Sequence, residues 1–175
     1  MADLQTIAQH LRGMAAGVER AQHAVAAADA RADEIAARAM MTGFAGIAMG
    51  VQQLRMSISE IRQRLMNIGR SVSEAAAPVA GASGRPSPEE TIALLNPASE
   101  QVGSVRAELG GLIEQVTRVQ QQAGAVLHGG QPGPMISALD QVKQLLAEVI
   151  GQSDVTRQAL HEAIIEARHL GEQGN

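Results

Sequence analysis

Three features of the sequence predict an all-α fold of long helices in antiparallel hairpins. Apolar residues recur at alternating steps of three and four along four long stretches. Gly and Pro mark the joints between those stretches. The joints inside each pair are short, and short connections force long helices to lie antiparallel. The expected organisation is a helical hairpin over 1–75, a Pro/Gly/Ala-rich linker with a short helix over 76–96, and a second hairpin over 97–172, coiled-coil-like or four-helix-bundle-like.

The first stripe runs Leu4, Ile7, Leu11, Met14, Val18, Ala21, Val25, Ala28, Ala32, Ile35 and Ala39, apolar at every position. A sustained 3.5-residue repeat keeps one seam facing a neighbour, so a helix is predicted over about 3–41, ~58 Å long at ~1.5 Å per residue. Thr42-Gly43-Phe44-Ala45-Gly46 follows, and its two glycines suit a tight reversal. The second stripe is Ile47, Val51, Leu54, Ile58, Ile61, Leu65, Ile68 and Val72. Between Ala75 and Pro97 lie four of the six prolines, which reads as the linker. Within it, Ser87-Pro88-Glu89-Glu90 has the residues of a capped helix start, predicting a short helix over 88–95 that stops before Pro97, with Asn96-Pro97 capping the next. The third stripe is Val102, Val105, Leu109, Leu112, Val116, Val119, Ala123 and Val126. His128-Gly129-Gly130-Gln131-Pro132-Gly133-Pro134 ends that helix and starts the fourth. The fourth runs from Leu139 to Leu170 and is interrupted by Ser153 and Thr156 beside Gly151, where a bend is expected. Leu11-x-Gly13-Met14 and the Val18, Arg20 and Gln22 that follow recur at Leu109, Gly111, Leu112, Val116, Arg118 and Gln120, a constant offset of 98 that raises the question of an internal duplication.

The composition bounds what this chain can do. Apolar residues make up 45%, but Phe44 is the one aromatic and much of the remainder is Ala. The core is therefore thin for its length, and association with a helical protein partner or a homo-oligomer is expected. No Cys is present, so disulfides and thiolate metal sites are excluded. No basic segment followed by an apolar run opens the sequence, and Met40 to Val51 is too short and Gly-rich to span a bilayer. Residues 1–87 carry nine Arg against seven acids, net +2, and residues 88–175 carry five basic groups against eleven acids, net −6. That asymmetry is too mild for nucleic acid, and no aromatics are available to stack bases.

The search for chemistry finds none that is complete. Glu166-Ala-Arg-His169 has the Glu-x-x-His step of carboxylate-bridged metal sites in bundles, but such sites need two of these motifs and this sequence has one. His161 and His169 stand two turns apart, and His10 and His23 lie on different faces. Gly110-Gly111 and Gly129-Gly130 lack the Gly-Lys-Ser/Thr of a phosphate loop. Gly13 and Gly17 read as close-packing points. The expectation is a protein that is not an enzyme, with no cofactor, metal or small-molecule substrate. The second helix is basic through Arg55, Arg62, Arg64 and Arg70. Arg55 and Arg62 share a flanking heptad position, which suits either pairing with Asp29, Asp33 or Glu34 or a docking strip for an acidic partner. The candidate partner-binding set is Val51, Leu54, Arg55, Ile58, Ile61, Arg62 and Leu65.

A hairpin of this size with an aromatic-x-Gly bend, Phe44-Ala45-Gly46, resembles the WXG100 (ESAT-6-like) family, with Phe44 where that family has Trp and Gly46 in the matching place. The resemblance covers residues 1 to about 75, with 97–172 as a candidate degenerate second copy that has no aromatic at its turn. It implies helical-hairpin dimers and association with type VII (ESX) secretion. Read this way, the aromatic plugs the end of the seam and Gly46 lets the backbone turn beneath it. The family's Tyr-x-x-x-Asp/Glu export tail has no counterpart, since the sequence has no Tyr. The expected function is thus a non-catalytic binding module, a partner or targeting chaperone of a secreted effector or toxin, cytoplasmic or exported with that partner. The alternatives are a self-assembling coiled-coil structural protein and a toxin-neutralising immunity protein.

Overall fold

The structure is a computed structural model that describes residues 4–82, 84 and 86–173. It is all-helical, with α1 at Leu4–Met41, α2 at Ala45–Gly81, α3 at Pro88–Val126 and α4 at Gly133–Gln173. Helix α1 packs on α2 and α4, and α3 packs on the same two, while the diagonal pairs do not approach. With short connections, this makes an up-down-up-down four-helix bundle. The two hairpins form one core: each stripe fills the space between the other three, from Leu11 and Met14 of α1 through Leu65 and Ile68 of α2 and Leu109 and Leu112 of α3 to Leu146 and Val149 of α4, all buried. The closest approaches are at glycines. A methyl on Gly17 would lie 2.7 Å from Val149 Cγ2, where α1 meets α4, and one on Gly50 would lie 2.7 Å from Val126 Cγ1, where α2 meets α3. Gly13, read with Gly17 as a packing point, has open space instead.

The α1–α2 joint closes where Gly was expected. Phe44 N–H donates to Ala39 O at 2.8 Å and Gly43 N–H to Met40 O at 3.3 Å, with Gly43 at φ +79, the Schellman arrangement that satisfies the last carbonyls of a helix. In the α3–α4 joint Gly129 takes φ +90, and Pro132 O accepts from Met135 and Ile136 N–H to start α4.

The linker expectation is overturned. Helix α2 continues through Pro78 to Gly81, and α3 starts at Pro88 and continues through Pro97, so the connection shrinks to 82–87 and there is no separate short helix. The Ser87 start is real: Glu90 N–H donates to Ser87 Oγ at 3.2 Å, and Ser87 N–H donates to Glu90 Oε2 at 2.8 Å. Asn96-Pro97, by contrast, caps nothing. A proline inside a helix costs about 3 kcal/mol through its missing N–H and ring clash. Both rings face solvent, while Val79, Leu95, Ala98 and Val102 around them are buried. Burying each larger side chain contributes roughly 1.5–3 kcal/mol, enough to carry both helices past their prolines.

Near Gly151, where a bend was expected, α4 runs on as one helix. Ser153 and Thr156 sit fully buried in its seam, and each hydroxyl donates within its own helix, to Ile150 O and Gln152 O, both at 2.7 Å. Leu170, placed in the fourth stripe, is exposed, and Ile164 is buried in its stead. The offset of 98 would carry the 42–44 turn to 140–142, inside α4, so the recurring residues stand at different distances from the turns of their hairpins.

Candidate functional site: an apolar bundle end

Both hairpin turns lie at the same end of an up-down-up-down bundle. Between 39 and 54, and again between 119 and 139, the sequence has no Asp, Glu, Lys or Arg, and His128 is the one ionisable side chain. This end therefore carries almost no fixed charge. It does carry exposed apolar side chains: Met40 and Met41 in the last turn of α1, Phe44 in the joint, and Met49 in the second turn of α2. Met56, seven residues after Met49, is exposed on the same outer face of α2 beyond Gln52 and Gln53, and Met66 is exposed further along the helix. Met40, Met41 and Phe44 are near neighbours at the joint, and exposed apolar side chains gathered in this way mark interaction surfaces. Methionine suits such a surface because its unbranched thioether chain adapts to irregular partners.

Phe44 does not plug the seam. Its side chain is 59% exposed, because the residue follows the left-handed Gly43 and precedes the first turn of α2, outside the layer where the stripes meet. Gly46 is likewise not the turning residue: it is helical, with open space where a Cβ would stand, and Gly43 makes the reversal. Both members of the motif are thus at the joint, in roles other than those expected.

The seam named for partner binding is consumed within the chain. Val51, Leu54, Ile58, Ile61 and Leu65 are each 1% exposed or less, packed inside the bundle. A heptad stripe shows that a helix needs a neighbour, and α1 and α3 supply it. Arg55 follows the pairing alternative: its Nε donates to Asp29 Oδ1 at 3.0 Å and its Nη1 to Asp33 Oδ1 at 2.5 Å. The hydrogen bond to Asp29, with the charges of Asp29 and Asp33, raises its pKa above the usual guanidinium value. Arg62 is exposed and makes no ion pair among the described residues. Arg64 reaches the second hairpin, bonding Gln115 Oε1 at 2.8 Å, and Gln115 in turn donates to Glu60. Across α3 and α4, Arg106 Nε donates to Asp154 Oδ1 at 2.5 Å, which raises the Arg106 pKa.

A shallow groove of about 290 Å³ lies between Pro78 of α2 and Pro97 of α3, with Glu74 and Gln101 at its polar edge, joined by a 3.4 Å hydrogen bond. It is at the lower bound for a small-molecule site. Among the described residues no group of three His, Cys, Asp or Glu is placed to hold a metal, and no helix is long and apolar enough to cross a membrane. His169 Nδ1 lies 4.0 Å from Glu172 on the exposed end of α4.

The exposed methionines were not singled out from the sequence. A signal was there: Met40, Met41, Met49 and Met56 are apolar residues at positions off the 3.5-residue stripes.

The architecture defines a closed helical bundle with one apolar end. Residues 86–172 match a family of unknown function (DUF6244). The match begins one residue before the Ser87 cap and covers α3 and nearly all of α4, leaving the methionine surface of the first hairpin outside it. No curated protein and no solved structure matches the chain.

Proposed function

We propose that the protein is a non-catalytic binding module that docks an amphipathic helix of a partner protein on its charge-poor end and the outer face of α2. One observation carries this: Met40, Met41, Phe44, Met49 and Met56 are exposed on a bundle whose core is otherwise closed. An apolar helix face is the complement of these exposed apolar side chains, which serve as docking anchors, with the exposed Gln52 and Gln53 between Met49 and Met56 meeting its polar edge. The finer reading, a partner or targeting chaperone of a type VII secreted effector or toxin, rests on the resemblance of Phe44-Ala45-Gly46 and of two helices of 38 and 37 residues to the WXG100 hairpin.

The test is co-expression with the products of adjacent genes, followed by co-purification. The intact chain retains a helical partner, while Met49→Gln with Met56→Gln releases it and keeps the helical spectrum. Retention unaffected by these changes, or capture of no helical protein, refutes the reading. Sedimentation supplies the remaining outcome. The same end can meet its own copy without like-charge repulsion, and a concentration-dependent dimer abolished by the two substitutions would replace the foreign helix by a second chain.

A further inference from the structure

Methionine is divided in this chain. Met14 and Met135 are 0% and 1% exposed, whereas Met40, Met41, Met49 and Met56 are 67%, 81%, 72% and 63% exposed. Methionine is ordinarily among the buried residue types. Met40 and Met41 end α1, Met49 and Met56 stand seven residues apart on the outer side of α2, Met66 is less exposed at 44%, and the sequence has no Cys to compete for oxidants.

We infer that Met40, Met41, Met49 and Met56 form a modification site for peroxide-class oxidants, and that sulfoxide formation there turns the docking surface polar while the bundle stays folded. The consequence for docking rests on the function proposed above; the modification itself does not. In the step, a thioether sulfur lone pair attacks one oxygen of hydrogen peroxide, the O–O bond breaks, an S–O bond forms, and the second oxygen leaves as water. Sulfur is oxidised by two electrons and peroxide is reduced by two. The product is a polar, chiral side chain that no longer suits an apolar partner, and methionine sulfoxide reductases return it to the thioether. Exposure sets the order of reaction. Met14 and Met135, beneath the helices, are reached only when the bundle opens. Because these two stay reduced, no sulfoxide enters the core, and oxidation leaves the packing intact.

The experiment exposes the full-length chain to hydrogen peroxide for increasing times, quenches with free methionine, and maps each methionine by peptide mass. Helicity is read at 222 nm, and retention on phenyl-agarose is the probe of apolar surface. The four exposed residues gain one oxygen at least about tenfold faster than Met14 and Met135, in line with their exposure. The helical signal holds, retention on the column falls, and treatment with the reductase restores it. A variant with all four changed, Met→Leu at 40, 41, 49 and 56, keeps its retention after peroxide. Oxidation of Met14 or Met135 as fast as the other four, or unchanged retention of the fully oxidised chain, overturns the inference. Neither readout involves a partner, so failure here is distinct from failure of the co-purification test, which overturns the docking reading by itself.

Discussion

Gly13 and Gly17 stand one turn apart on α1, and substituting each by Ala should shift stability in opposite directions. In a helix interior Gly is less favourable than Ala by about 0.8–1.0 kcal/mol, so propensity alone favours both changes. At Gly13 nothing lies within 4 Å of the new methyl, and Gly13→Ala should gain close to the full ~1 kcal/mol. At Gly17 the methyl would arrive 2.7 Å from Val149 Cγ2 and 3.0 Å from Gln152 Oε1. Val149 is fully buried and β-branched, so it cannot swing aside, and Gln152 Oε1 is already a buried acceptor without a partner among the described residues. Overpacking of this kind costs about 1–3 kcal/mol, which leaves Gly17→Ala destabilised by up to ~2 kcal/mol after the propensity gain. Each 1 kcal/mol corresponds to about 2–4 °C in Tm for a chain of this size, so a separation of about 1–3 kcal/mol should part the variants by roughly 2–12 °C in thermal melts at 222 nm. Adding Val149→Ala to Gly17→Ala should recover part of the loss, a coupling that a double-mutant cycle measures directly. Equal stabilisation by the two alanines would refute the argument, since it would mean that α1 and α4 are not in contact and the two hairpins do not share a core.

Two further outcomes follow from helix interiors. Thr156→Val removes a buried hydroxyl whose bond goes to Gln152 O of its own helix, leaves no orphaned partner, and should raise stability by about 1 kcal/mol in urea melts. Pro97→Ala restores an N–H to an exposed position within α3 and should stabilise by about 2 kcal/mol, the helical gain being partly offset by greater freedom of the unfolded chain; a loss of stability would show that the helix is broken there.

The stripes and their punctuation were legible because both depend on local chemistry. Leu11, Ile58, Leu109 and Leu146 are buried as their spacing requires, and Gly43 and Gly129 take the left-handed conformations that short joints need. The course of the chain between Ala75 and Pro97 was not legible, because proline was weighed as a local breaker while the burial that outweighs it, at Val79 and Leu95, is tertiary. The choice of neighbour was equally hidden. A 3.5-residue period in Val51 to Leu65 says that the seam is covered, and it is silent on whether the cover is a foreign helix or α3 of the same molecule. Apolar character alone does not separate core from surface either, for Met40, Met49 and Phe44 are as apolar as the stripe residues and yet exposed.

The way the four rods share their interior has a bearing on the segment that matches the family of unknown function. Helices α3 and α4 supply half of a common interior, and the other half comes from α1 and α2. A polypeptide made of residues 86–172 alone would present Leu109, Val116, Leu146 and Val149 to water along a trough some 50–60 Å long, at ~1.5 Å of rise per residue. Such a half-bundle has an inexpensive remedy, which is to clasp another of its own kind in the place of the missing hairpin. In the 175-residue chain the substitute is built in, tethered by the brief crossing at 82–87, so the companion is never more than a few residues away.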